Sequence, residues 1–355
     1  MPSGEVYIMI KETHMPDKFL KIYTCDLNWT YFEQPFIHTP PSLPQDWADV
    51  DPLEYFRWHR DFGNNAMFLQ AYTFGGYAFY PTHLGPVAPG PGRDFLPRLY
   101  DLAHEHGIPF CSYFCVGADL ITSNLRPGWV IPTSREHPDF PQGFLAPESP
   151  WTDLLCERIA EFLATYPCEY LLFDWFVYGS LHPDFPLQPA WFVKEPFAEI
   201  VGRQMPETAA AISPAESLLY KRTVLARQLR SIQAAVRQAS PHTQIGFNVP
   251  YWGAAEALWV DHPMLLESDF LVAESTRAEI IDWLLSVRKP GQHVMTTLIG
   301  RTEKGETDPS HWRKLAEKGC DYFFGYGWGT PPDFRPHPHY GEDLEIARQA
   351  FKEMG

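Results

Sequence analysis

The segment EYLLFDWFVYG, Glu169–Gly179, sets apolar and aromatic residues on both sides of one aspartate, Asp174. Its length, its branched and aromatic content and its closing glycine mark a buried strand. An isolated carboxylate in such a strand is strongly unfavourable unless it is paired or relieved. The strand is therefore expected to end at Asp174, on a rim that polar groups and water can reach.

Seven further runs of the same kind flank it: KIYTCDLNW (21–29), NAMFLQAY (65–72), IPFCSYFCVG (108–117), TQIGFNVP (243–250), DFLVAEST (269–276), HVMTTLIG (293–300) and DYFFGYGWG (321–329). A helix candidate follows each of the eight. Strands alternating with helices imply parallel pairing and right-handed crossovers. Eight such units in 355 residues predict an α/β fold, a (β/α)8 TIM barrel, as one catalytic domain over 1–355. Residues 1–20 are expected to form an N-terminal cap or an extra hairpin.

Helix starts are written locally. D51-P-L-E54, S149-P-W-T152, S213-P-A-E216 and D308-P-S-H311 each place an N-cap residue before a proline, and Asp51 and Ser213 have Glu at capping-box spacing. In the helix after Ser213, Leu218, Leu225, Leu229, Ile232 and Val236 share a stripe that leaves Arg222, Arg230 and Arg237 outside it. Helix-to-strand links are short, such as 106–109 and 166–169. Strand-to-helix links are long: 30–51, 73–93, 118–149, 180–213 and 330–340. Long loops are usually functional, and these gather at the C-terminal ends of the strands, where barrel active sites sit.

Composition narrows the function. A net charge of −16 disfavours nucleic acid and acidic membranes as partners. No apolar run reaches the roughly 20 residues of a membrane helix, and no basic start leads into an apolar core, so a cytoplasmic location is expected. The six cysteines are scattered without a CxxC and read as buried thiols of a reducing compartment. Aromatics make up 15% and prolines number 35, many in polar stretches such as HPDFPLQPAWF. Such stretches serve either as surplus core or as flat walls on which sugar rings stack.

Side chains alternate along a strand, so one parity faces the barrel axis. Polar residues near the strand ends are Asp26 and Asn28, Gln70, Asp174, Asn248, Glu274, Thr297, Tyr326 and Trp328. Carboxylates, amides and aromatics are what a sugar-processing pocket needs. Glycoside hydrolysis uses two carboxyls flanking the scissile bond. Asp174 on strand 4 and Glu274 on strand 6 can face each other across the mouth. A structural Asp bonded to loop N–H groups, and a Glu274–Arg277 ion pair, are the alternatives. Asp26 competes for the acid role, as do the loop acids Glu303, Glu306 and Asp333. Strand 1 reads DLN rather than the HxH of metal-dependent barrels. Neither His337 and His339 in RPHPHY nor Cys111 and Cys115 complete a ligand set, and His182 is a lone pocket candidate. Nucleotide-binding glycine motifs and GxSxG are absent.

The stretch FGNNAMFLQAYTFGGYAFYPTHLGPVAPGPGRDFLPRLYDLAHEHGIPFCSYFCVG (62–117) resembles the second and third βα units of alpha-L-fucosidase-like glycoside hydrolases and of the hypothetical glycosyl hydrolase barrels related to them. LAPESPWTDLLCERIAEFLATYPCEYLLFDWF (145–176) is similar to their helix and strand ending in Phe-Asp. The resemblance covers about the first half of the chain. It implies that Asp174 is the nucleophile. A further likeness to the alpha-galactosidase clan implies Glu274 as the acid. The sequence departs from fucosidases at two places: Thr73, Phe74, Gly75 and Gly76 replace the His-His-Asp-Gly that grips fucose, and Trp175 replaces the glycine after the nucleophile.

The expected activity is retaining, exo-acting hydrolysis of an oligosaccharide or glycoside. Asp174 and Glu274 would be catalytic. Asp26, Asn28, Gln70, Tyr72, Tyr113, Trp175, Asn248, Tyr326 and Trp328 would bind the carbohydrate. No cofactor and no metal are called for, and a homo-oligomer stays open. A sugar-binding barrel without catalysis and a metal-dependent hydrolase or isomerase are the other readings.

Overall fold

The computed structural model describes residues 19–28, 50–88, 92–132, 134, 143–179, 185–249, 259, 261–274, 277–298, 309–330, 333–337 and 344–354. All eight expected strands form: β1 (Leu20–Cys25), β2 (Met67–Tyr72), β3 (Phe110–Cys115), β4 (Tyr170–Asp174), β5 (Gln244–Asn248), β6 (Phe270–Ala273), β7 (His293–Leu298) and β8 (Tyr322–Thr330). They pair in parallel in the order β1-β8-β7-β6-β5-β4-β3-β2. The remaining seam, between β1 and β2, is joined by two asparagines. Asn64 Nδ2 donates to Tyr23 O at 2.7 Å and its Oδ1 accepts from Tyr23 N at 3.0 Å. Asn65 Oδ1 accepts from Lys21 N and its Nδ2 donates to Phe19 O, both at 2.7 Å. The result is a nearly closed (β/α)8 barrel.

Helices separate the strands: α1 (Pro52–Phe62), α2 (Gly92–Glu105), α3 (Leu120–Leu125), α4 (Trp151–Thr165), α5 (Trp191–Val201), α6 (Pro214–Ala239), α7 (Pro263–Glu267), α8 (Ala278–Val287), α9 (Pro309–Lys318) and α10 (Leu344–Glu353). Asp51 caps α1 by accepting from Leu53 N at 2.9 Å. Ser213 and Glu216 close a full capping box on α6, whose Leu225, Leu229, Ile232 and Val236 are buried while Leu218 is only partly so. The expected cap at Asp308 and almost all of residues 1–20 lie outside the described residues.

Period-two alternation fills the barrel in layers. Tyr170, Leu172 and Asp174 rise along β4; Phe270, Val272 and Glu274 along β6 and beyond its end; Tyr322, Phe324 and Tyr326 along β8. Tyr170, Phe270 and Tyr322 meet at the floor with ring centroids 5.6–6.4 Å apart, and Tyr322 Oη donates to Gln244 Oε1 at 3.1 Å. Gly246 is required there, because a Cβ would stand 1.9 Å from the Phe270 ring. Phe68 and Phe324 pack at 4.9 Å one layer up. Above this floor, the apolar layer leaves the next polar side chains at the top of the barrel.

Two of the long links are more ordered than their composition suggests. The link 118–149 contains α3, and 180–213 contains α5 with Pro196 inside it, so its proline content reads as loop where a helix forms. Residues 333–337 are also not loop. They form β9, antiparallel to β8, pairing His337 with Trp328. Pro336 is compatible with that position because, among the described strands, β9 pairs with β8 alone.

Candidate active site

β4 stops at Asp174 because the next residue leaves the extended region: Trp175 has φ +55°. That turn aims the Trp175 N–H back at Asp174 Oδ1, 2.7 Å away. Asn248 Nδ2, from the end of β5, donates to the same oxygen at 2.9 Å. The other oxygen accepts from Tyr113 Oη on β3 at 3.0 Å. Three donors thus hold the carboxylate that the strand could not carry alone. Burial still raises its pKa above the usual aspartate value, while the bonds from Asn248, Trp175 and Tyr113 oppose that rise. The Tyr113 phenol is pushed well above its ordinary pKa, by burial first and by the neighbouring Asp174 next, so it stays a proton-bearing donor.

Asn248 Nδ2 also donates to Glu274 Oε2, at 3.0 Å. One nitrogen bonded at 2.9 and 3.0 Å to two carboxyl groups keeps those two oxygens within about 6 Å of each other. Tyr326 on β8 donates to Glu274 Oε1, and its own pKa is raised well above normal by burial and by Glu274. Arg277, the ion-pair partner considered from sequence, donates through Nε to Glu279 Oε1 at 2.7 Å.

Asp26 closes the third side. Gln70 Nε2 reaches Asp26 Oδ1 at 3.0 Å, and Asn28 N reaches it at 2.9 Å. Asn28 Oδ1 in turn accepts from Phe74 N at 3.0 Å, which ties the link after β2 to the end of β1. Asp26, Asn28, Gln70, Tyr113, Asp174, Trp175, Asn248, Glu274 and Tyr326 line one cavity at the barrel mouth.

Tyr72 is not brought there. The β2–β3 register shifts between Gln70 and Tyr72, which breaks the alternation and turns Tyr72 toward the helices. Its ring lies under the Arg158 guanidinium at 4.4 Å and beside Phe114 at 5.7 Å. Trp328 lies on β8 where it pairs with β9. The side chains of Trp328, Thr297, His337 and Asp333 are outside what is described, as are residues His182, Glu303, Glu306 and His339. The sequence reading missed the cavity's apolar base, Phe68, Leu172, Val272 and Phe324. Each stands two residues before a polar rim position, so the same alternation marks them. Among the described residues no group of three or more His, Cys, Asp or Glu is placed to hold a metal ion. The six cysteines are free thiols, five of them buried.

No family model matches the chain, and no curated protein matches it. Solved structures do. The alpha-L-fucosidase isoenzyme 2 from Paenibacillus thiaminolyticus matches with a TM-score of 0.61 and 15% identity, over 95% of this chain and 49% of that one. The chain therefore spans about half the length of that protein. A glycoside hydrolase 29 family member from an unknown rumen bacterium matches with a TM-score of 0.50 and 15% identity, over 95% of this chain and 55% of that one. A fucosyltransferase mutant of the alpha-L-fucosidase AlfC, an enzyme of Lactobacillus casei, matches with a TM-score of 0.50 and 14% identity, over 95% and 96% of the two chains. The fold that the sequence resemblance implied is the fold the chain adopts, and it is one that alpha-L-fucosidases share.

Proposed function

We propose that the chain is a glycoside hydrolase that retains anomeric configuration and acts on the exposed end of a glycoside, with Asp174 as nucleophile and Glu274 as acid/base. The observation that carries this reading is the bridge through Asn248, which holds oxygens of the two carboxyl groups within about 6 Å of each other, near the roughly 5–5.5 Å separation of retaining enzymes. A barrel that only binds sugar needs no such pair. The fold shared with alpha-L-fucosidases adds support.

The mechanism follows from the bonds. Trp175 N and Asn248 Nδ2 converge on Asp174 Oδ1, while Tyr113 Oη alone holds Oδ2 among the bonds described to this carboxylate. Asp174 attacks the anomeric carbon as Glu274 delivers its proton to the leaving oxygen. Glu274 then takes a proton from the water that cleaves the glycosyl–enzyme ester. Asp26, held by Gln70 and Asn28, accepts bonds from sugar hydroxyls. Phe74 is buried and packs on Trp175 at 5.0 Å, so it offers the sugar no polar grip where fucosidases have histidine. Fucose is accordingly not the favoured sugar.

The test is a panel of nitrophenyl glycosides. Asp174→Asn is expected to lower turnover at least about 10³-fold with the circular dichroism spectrum unchanged, since the nucleophile is lost and the shape kept. Near-wild-type turnover in that variant would remove Asp174 from the reaction.

A further inference from the structure

Among the described residues, the cavity wall is rich in hydrogen-bond acceptors. Asp26, Asp174 and Glu274 all line it, and none of the described lining residues is Lys, Arg or His. The wall's donors nearest the three carboxyl groups are already engaged. Tyr113 and Asn248 serve Asp174, Asn248 and Tyr326 serve Glu274, and Gln70 serves Asp26.

Two acceptors remain over. Gln70 is 3% exposed and Asn248 9%, yet Gln70 Oε1 and Asn248 Oδ1 have no hydrogen-bond partner among the described residues. Their orientation is not free. Turning the Gln70 amide round would set its oxygen against Asp26, and turning Asn248 would set its oxygen against both Asp174 and Glu274. Both carbonyls are therefore locked as acceptors in the side chains that form the wall. A buried acceptor left unpaired is unfavourable, so a ligand that supplies donors gains what the wall lacks.

Three carboxyl groups and two spare carbonyls also select for charge. Repulsion would turn away uronic acids and sulfated or phosphorylated sugars. A protonated amine brings three donors and a positive charge together. We propose that the sugar held in this cavity carries a free ammonium group, so that the substrate class is glycosides of unacetylated amino sugars. This rests on the cavity being the sugar site of the hydrolase proposed above.

Binding and hydrolysis test it separately. Methyl glycosides with an amine at C2, C3, C4 or C6 of glucose and galactose are titrated calorimetrically into the wild-type chain near pH 6. Their N-acetylated and hydroxyl counterparts are titrated alongside. At least one amine is expected to bind ten times more tightly than both counterparts. Equal or weaker binding of every amine overturns the inference. If neutral nitrophenyl glycosides are hydrolysed without any preference for amines, the inference falls and the hydrolase reading stands. Tight amine binding with no hydrolysis of any glycoside upholds the inference and sinks that reading.

Discussion

At the scale of single residues, Trp175 is the most constrained position of the site. A side-chain-bearing residue at φ +55° costs on the order of 1–3 kcal/mol. The surroundings offset this: its N–H is bonded to Asp174, and its ring packs against Phe74 at 5.0 Å and Phe144 at 6.1 Å. Gly117 makes the turn possible, because a Cβ there would stand 2.4 Å from the Trp175 carbonyl oxygen. That oxygen is a backbone atom and cannot swing aside. Gly117→Ala is therefore expected to destabilise the fold by about 1–3 kcal/mol in urea denaturation. It should also lower turnover, because displacing Trp175 removes a donor from Asp174. An unchanged denaturation midpoint would mean that the turn has slack.

At the scale of elements, the barrel depends on side chains where its ladder is missing. Asn64 stands in for a strand partner of Tyr23, satisfying both its N–H and its carbonyl. Asn64→Ala would leave two backbone groups of β1 unpaired and is expected to cost about 3 kcal/mol. Asn64→Asp keeps the acceptor for Tyr23 N but sets a charged oxygen against Tyr23 O in a buried site, so at neutral pH it should cost at least as much. Equal stability of the alanine variant and the wild type would show that another group takes over the seam. Both asparagines stand in plain view in the GNNA sequence, yet their role is not legible from it. Short polar residues between a helix and a strand ordinarily read as a turn, and only the closed geometry brings Asn64 alongside Tyr23. The same holds for α5 and β9. Their prolines argue for loop, and packing against α6 and β8 overrides the local preference.

At the scale of the whole molecule, buried polar groups tie the long links to the barrel. Arg158 of α4 bonds Asp119 Oδ2 at 2.7 Å and Leu84 O at 3.1 Å, which joins the links after β2 and β3. Glu148 joins three segments, accepting from Tyr178 at 3.0 Å and from Tyr220 of α6. Burial raises its pKa from 4.5 to about 7. The native chain thus holds a proton that the unfolded chain releases above pH 4.5, so stability falls as pH rises from about 4.5 to about 7. The loss amounts to about 3 kcal/mol and is complete above the upper value. Glu148→Gln is expected to match the wild type near pH 4.5 and to exceed it by up to that amount at pH 8, measured by chemical denaturation at both. A wild type equally stable relative to the variant at the two pH values would exclude a titrating Glu148.

The sequence alone determined the barrel, its eight strands and most of the polar side chains that line the mouth. Those follow from a period of two and from local helix signals, and both are properties of neighbouring residues. It also singled out Asp174, since one acid among aromatics must lie at a strand's end. Tertiary structure decided the rest. Asp174 and Glu274 are a hundred positions apart, and their spacing is set by an amide from a third strand. Tyr72 left the mouth because one shift of register reverses a face. Separation across a closed barrel, loss of solvent and the sign of a single φ arise only when distant segments pack together.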